Sequence, residues 1–239
     1  MTTAKITSAT AAHPLVPSKG AFITFEGGEG SGKSTQAAAL AERLRARGID
    51  VVVTREPGGS PLAEQIRELL LAPKPQPHGA LTEALLFYAA RADHLEQTVR
   101  PALALGQWVI CDRFSDSTRA YQGAAGGVVA AIIETLDGIV VGAATPDLTV
   151  LIDLDPAVGL TRAALRRSVA VQGAPLVADS FEGRQMQFHQ RLRQGFLDLA
   201  KAAPERMVVM DGFQNQLMLA DAIFRTVCER LPVPVPGKS

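Results

Sequence analysis

Cysteine, histidine, net charge and long apolar runs are all scarce in this chain, and each scarcity closes a class of function. Of 239 residues only Cys111 and Cys228 are cysteines, too few and too far apart for a disulfide framework, which suits a reducing cytosol. His13, His78, His94 and His189 are scattered, so neither a metal-spaced Cys/His cluster nor a Ser-His-Asp arrangement can be drawn. Lys plus Arg and Asp plus Glu each number 24, so no global basic field points toward nucleic acid. The apolar stretch Ile132 to Ala144 is interrupted by Glu134, Asp137 and Gly138, and no run reaches the length of a membrane span.

What is present is a composition fit for a buried core, 47% hydrophobic and 20% charged. Residues 1–19, rich in Thr, Ala, Ser and Pro without the apolar core of a signal peptide, are expected to be a disordered leader. The proline-punctuated segment 232–239 is expected to be a flexible tail. Between them no repeat or linker appears, which favours one domain over 20–231.

Five short apolar runs alternate with helical patterns: Phe22–Phe25, Val51–Thr54, Trp108–Cys111, Thr149–Leu154 and Met207–Met210. Their lack of alternation suits strands buried on both faces, and the intervening patterns suit crossover helices onto a parallel sheet. Helices are expected over 35–47, 61–71, 80–104, 125–141, 157–168, 181–201 and 215–230, with a stiff proline connector over 72–79. Each strand ends in polar or glycine residues, and in an open α/β sheet those ends converge on one ligand crevice.

The most informative segment follows the first strand. Residues 27–34 read Gly-Gly-Glu-Gly-Ser-Gly-Lys-Ser, a complete phosphate-loop pattern between a strand and a helix. Backbone N–H groups of Gly27, Gly28, Glu29, Gly30, Ser31 and Gly32 would curl around a nucleotide phosphate, with Thr35 in the first helical turn. Lys33 would reach the β- and γ-phosphates and the Ser34 hydroxyl would ligate Mg²⁺. A glycine-rich turn carrying an exposed lysine is the plain alternative.

A phosphate loop leaves several nucleotide machines open. The guanine-reading Asn-Lys-x-Asp segment of GTPases is missing, since the sole asparagine, Asn215, is followed by Gln. The third strand ends in Asp112-Arg113 rather than adjacent acids. That pair suits a small phosphate-bearing acceptor, because Arg113 offers a planar fork to phosphate and Asp112 can hold water around Mg²⁺.

Phe25-Glu26-Gly27 through Thr35, Thr54-Arg55-Glu56-Pro57-Gly58-Gly59, Leu86 to Arg91, Asp112-Arg113-Phe114 through Gly123, and Pro146-Asp147-Leu148-Thr149 together resemble the thymidylate kinases from about residue 20 to 230. The resemblance implies a three-layer α/β P-loop nucleoside monophosphate kinase fold with a five-stranded parallel sheet. It implies transfer of phosphate from ATP to dTMP with Mg²⁺ in dTTP synthesis, in a cytoplasmic homodimer. The apolar helix around Ile132–Val141 could supply part of the dimer interface.

The resemblance also assigns roles. Glu29 would face the Mg²⁺ and the acceptor sugar, while Glu26 stays outside the catalytic set as a structural hydrogen-bond partner. Arg55 and Arg113 would hold the acceptor phosphate, although an ion pair of Arg55 with Glu56 or Glu64 is the plainer reading. Phe87 and Arg91, four apart on one helical face, would stack on thymine and donate to a base carbonyl. Ser117, Thr118, Tyr121 and Gln122 would handle base and sugar, with Tyr121 crowding the 2′ position. Without the resemblance, Phe87 would be core packing.

The lid is expected over about 162–184. Family members without an arginine in the phosphate loop carry phosphate-clamping arginines there, and this chain has Ser31 in its loop. Where many such members have Asp-Arg-(Phe or Ile)-Glu, this chain has Asp179-Ser180-Phe181-Glu182, so Arg166, Arg167 or Arg184 must replace the missing charge. A basic helix end complementing its own dipole would look the same. Arg162 is expected beside the adenine, and Glu182 at the metal or as a lid-orienting residue. A related nucleotide kinase with another acceptor, or a nucleotide-binding regulator without turnover, would share the phosphate loop.

Overall fold

The structure, a computed structural model, describes residues 20–72, 78–170 and 181–233. The segment expected as a leader, the connector prolines within 73–77, residues 171–180 of the expected lid with Ser180, the expected tail beyond 233, and the Arg167 side chain lie outside the described residues.

Five parallel strands form one sheet in the order β2-β3-β1-β4-β5: β1 Phe22–Glu26, β2 Val51–Arg55, β3 Trp108–Asp112, β4 Leu148–Asp153 and β5 Met207–Asp211. Central β1 is buried at every position, whereas edge strand β2 alternates. Successive side chains of β1 point to opposite faces. Ile23 and Phe25 pack with α1 (Lys33–Arg45) and α9 (Gln216–Arg230) on one face. Phe22 packs on the other, against Leu95, Val99 and Phe114. The buried Thr24 hydroxyl is satisfied across the sheet by Thr149 Oγ1 at 2.8 Å. Three layers follow from that two-sided burial.

The second helical layer comprises α2 (Pro61–Leu71), α3 (Ala80–His94), α6 (Ala130–Val140) and α8 (Met186–Ala202). Helix α3 continues through a π-helical stretch, Leu95–Val99, into the short α4 (Arg100–Ala104). Pro61 opens α2 and Pro156 opens α7 (Pro156–Ala170), where a missing N–H costs nothing. The sole asparagine, Asn215, caps α9 by accepting the Leu217 N–H at 2.9 Å.

Three helical expectations need correction, the first being the helix expected over 125–141, which as α6 begins only at Ala130, after a turn at Gly126. Residues 115–125, with no apolar periodicity, are helical as α5 (Ser115–Thr118) running into a π-helix, Arg119–Ala125. Packing against α8 stabilises them, and Gly195 permits it, since a Cβ there would stand 2.5 Å from Ala124 Cβ. Helix α8 starts at Met186 and not 181. Phe181 is drawn into an aromatic cluster instead, 5.7 Å from the Tyr121 ring, and the chain turns before the helix begins.

Candidate active site

The carboxyl ends of β1, β2 and β3 bring the phosphate loop, Glu56 and Asp112-Arg113 together. The loop is built on close backbone approaches. Gly27 and Gly30 have φ of 138° and 66°, and a Cβ on Gly30 would lie 2.0 Å from the Gly159 carbonyl oxygen. A Cβ on Gly159 would in turn lie 2.2 Å from the Glu29 carbonyl oxygen, so the first turn of α7 rests directly on the loop. Sequence reading missed Gly159, although a glycine inside a helix always asks for a packing reason.

Lys33 is buried and curls over the loop, donating to the Gly28 carbonyl at 2.8 Å and to Ser31 Oγ at 3.3 Å. Burial and the nearby Arg113 lower its pKa to about 8. Two cations held this close in a desolvated site favour a polyanion between them.

Arg113 has φ of 72°, a conformation rare for a residue with a side chain. Its N–H donates to the Phe25 carbonyl at 2.9 Å, which fixes the bend at the end of β3. From there Nη2 reaches Glu29 Oε1 at 2.8 Å, Nη1 reaches the Gly27 carbonyl at 3.0 Å, and the guanidinium lies 5.0 Å from the Tyr121 ring centre. Tyr121 donates its hydroxyl to the same Glu29 oxygen at 2.5 Å. Burial alone would raise the Glu29 pKa, but Arg113 and Lys33 outweigh it and bring the carboxyl to about 2. Glu29 therefore stands ionised between the phosphate loop and the Arg113–Tyr121 pair.

Ser34 donates its hydroxyl to Asp112 Oδ2, and Asp112 Oδ1 is buried with no hydrogen-bond partner among the described residues. A hydroxyl and an under-satisfied carboxylate, adjacent and beside the phosphate loop, are hard oxygen donors that fit Mg²⁺. No group of three or more His, Cys, Asp and Glu side chains that could hold a metal ion occurs among the described residues. Glu182 sits half-buried in the turn before α8, within the span expected for the lid.

One cavity beside Arg113 is lined by Phe87, Arg91, Arg113, Ser117, Thr118, Tyr121 and Gln122, together with Glu29, Glu56, Phe114 and Phe181. Arg91 is buried within it. Its Nε donates to Glu56 Oε2 at 2.8 Å and its Nη2 to Thr118 Oγ1 at 3.1 Å, while Nη1 has no partner among the described residues. Gln122 Nε2 donates to Glu83 Oε2 at 3.1 Å.

Glu26 was absent from the expected site, yet it underlies it. Its Oε1 accepts the Phe114 N–H at 2.8 Å and its Oε2 pairs with the Ser117 hydroxyl at 2.6 Å, the same hydroxyl that lies 3.3 Å from Arg113 Nη1. Burial, and then the charge of Asp116, push the Glu26 carboxyl up to about 8.

Arg55 is not brought into the cavity. It is exposed, with Nη2 at 3.1 Å from both oxygens of Glu64, which also accepts the Gly59 N–H at 3.0 Å. Arg162 donates to the Gly212 carbonyl at 3.0 Å, between the ends of β4 and β5. Arg166 is exposed, whereas Arg184 is committed to Glu83 at 2.6 Å and lies 4.5 Å from the rings of both Phe181 and Phe188. Glu56 lines the cavity, and Glu83 and His94 support it through Gln122 and Glu56; sequence reading gave them no role there, and a carboxylate immediately after a strand and a histidine three residues from Arg91 were the available signals.

Comparison with known proteins follows the same lines. A family profile described as thymidylate kinase matches residues 25–223. The thymidylate kinase of Afipia carboxidovorans is 50% identical over 223 residues, covering 93% of this chain and 95% of that protein. That of Caulobacter vibrioides is 50% identical over 213 residues, 89% of this chain and 98% of its own. The crystal structure of thymidylate kinase from Ehrlichia chaffeensis superimposes with a TM-score of 0.69 at 36% identity, covering 87% of this chain and 98% of that one.

Proposed function

The chain belongs to the thymidylate kinase family, and on that premise we propose how its residues carry the reaction. It transfers the γ-phosphoryl group of ATP to the phosphate of dTMP, giving ADP and dTDP for dTTP synthesis. Lys33 and the amides of the phosphate loop hold the ATP phosphates, and Thr35 supports the loop from the first turn of α1. Arg113 takes the dTMP phosphate and offsets the repulsion between donor and acceptor anions. Glu29 keeps Arg113 and Tyr121 in place, which sets the sugar end of the acceptor.

The thymine lies against Phe87, with Arg91 donating to a carbonyl and Thr118 and Gln122 at its polar edge. The observation that carries this reading is the buried, unpartnered Nη1 of Arg91 in a cavity that also holds Arg113. A neutral base with a carbonyl at one end and a phosphate at the other is what that pair of arginines matches. Ser34 and Asp112 hold Mg²⁺, with Glu182 as a further oxygen near the lid; the ion supplies charge neutralisation at the phosphate oxygens. Arg162 packs near the adenine. Because Arg184 is committed to Glu83, Arg166 and Arg167 supply the lid's positive charge. Arg55 reaches the acceptor phosphate by leaving Glu64.

The enzyme acts as a homodimer. Leu62 and Leu69 on α2, Leu81 and Leu85 on α3, and Ile132 and Ile139 on α6 are exposed on helices that pack side by side, and they support that assembly. A cytoplasmic setting is supported by two free cysteines, and no helix among the described residues is long and apolar enough to cross a membrane. Release of ADP and formation of dTDP from ATP and dTMP test the reading. No dTMP-dependent turnover, with ATP binding retained, would refute it.

A further inference from the structure

We propose that Glu56 and His94 form a positioning couple that aims Arg91 at the acceptor base and neutralises it, an inference that rests on the acceptor reading above. Arg91 is 1% exposed, and a guanidinium buried this deeply must have its charge met. Its plane is confined by Tyr88 and Phe114, whose ring centres lie 4.8 and 5.1 Å from Cζ. Within that slot the Nε contact with Glu56 Oε2 at 2.8 Å fixes the rotation of the group, and with it the direction of the unpartnered Nη1.

The other oxygen of Glu56 is held as firmly. His94 Nδ1 lies 3.0 Å from Glu56 Oε1, and His94 Nε2 lies 2.8 Å from Thr54 Oγ1. A carboxylate only accepts, so Nδ1 carries the hydrogen toward Glu56, while Nε2 shares a hydrogen bond with the threonine hydroxyl. The turn after β2 closes over this pair: a Cβ on Gly59 would stand 2.5 Å from His94 Nε2 and 2.4 Å from Thr54 Oγ1. A continuous chain, Thr54–His94–Glu56–Arg91, thus runs from the strand end to the cavity.

Two consequences follow for selection. A donor fixed in direction satisfies a base carbonyl and opposes a base amine. A guanidinium already paired with Glu56 presents that donor without net charge, so the cavity distinguishes its base end from its phosphate end at Arg113. Glu56 and His94 act through Arg91 and touch no reacting atom.

The test measures initial rates with dTMP and dCMP in the full chain. Glu56→Gln keeps the volume and removes the charge; KM for dTMP should rise about tenfold or more. KM for ATP should stay within about twofold, and the kcat/KM ratio of dTMP over dCMP should fall about tenfold. His94→Asn retains a donor at the Nδ1 position and should stay within about threefold of wild type, whereas His94→Leu should follow Glu56→Gln. Arg91→Ala is measured alongside. If it leaves KM for dTMP unchanged, the acceptor reading itself fails. If Arg91→Ala raises KM while Glu56→Gln and His94→Leu leave KM and the ratio within about twofold, the positioning couple is refuted. It is equally refuted if the two variants depress kcat and raise both KM values in parallel, as general destabilisation would. Should Glu56→Gln fail to fold, the two His94 variants decide on the same readouts.

Discussion

Glu26→Gln should stabilise the protein, and by an amount that grows with pH. In the folded chain the Glu26 carboxyl is pushed by burial, and next by Asp116, from 4.5 to about 8, against hydrogen bonds from Ser117 and the charge of Arg113. Between those two values the folded state holds a proton that the unfolded state has released. Stability therefore falls as pH rises through the window, the reverse of an ion-paired carboxylate. A tenfold difference in proton affinity between the two states is worth about 1.4 kcal/mol, so moving from pH 5 to pH 8 should cost the wild type roughly 3 kcal/mol at this one group. Glutamine carries no titrating proton and can still accept the Phe114 N–H and donate to Ser117 Oγ. For a chain of this size, 1 kcal/mol corresponds to about 2–4 °C in Tm, so the Tm advantage of the variant should grow by roughly 10 °C across that pH range. Thermal unfolding of both proteins at pH 5, 6, 7 and 8, compared pairwise, cancels the titration of groups that do not interact with Glu26. A difference in Tm that is flat with pH would refute a neutral, buried Glu26.

Four further outcomes can be checked. Gly159→Ala places a methyl group 2.2 Å from the Glu29 carbonyl and should raise KM for ATP about tenfold while costing about 1–3 kcal/mol of stability. Ser34→Ala should raise the Mg²⁺ concentration for half-maximal activity about 10–100-fold, read from initial rates across a Mg²⁺ titration. Ile139→Lys combined with Leu85→Lys should convert a dimer to a monomer, measured by light scattering after gel filtration. Arg166→Ala and Arg167→Ala, assayed separately, should each lower kcat by about 10²-fold or more if they clamp the transferring phosphoryl group; near-wild-type values in both would shift the lid's charge to Arg184.

The sheet was legible because its strands are buried on both faces and therefore read as short apolar blocks. Phe22–Glu26 between Gly20 and the phosphate loop is the clearest example. Residues 115–125 were not, since a Ser-Asp-Ser-Thr start and Gly123 carry no helical period, and α8 supplies the packing that makes them helical. At the site, Lys33, Ser34, Asp112 and Arg113 could be named from motif spacing, and Arg91 from the family resemblance. Their supports were legible only in part. Glu26 could be named as a structural hydrogen-bond partner, but that it holds Ser117, and that Glu56 and His94 hold Arg91, comes from the fold alone. Arg55 carries the opposite lesson, because the ion pair with Glu64, named from sequence as the plainer alternative, is the contact the fold makes.

Selection of thymine by a directed, charge-neutral guanidinium is tested most directly by the ratio of kcat/KM for dTMP over dCMP in the wild-type enzyme. Arg91 Nη1 facing a carbonyl predicts a ratio of about 10² or more. Equal values, within about threefold, would contradict it.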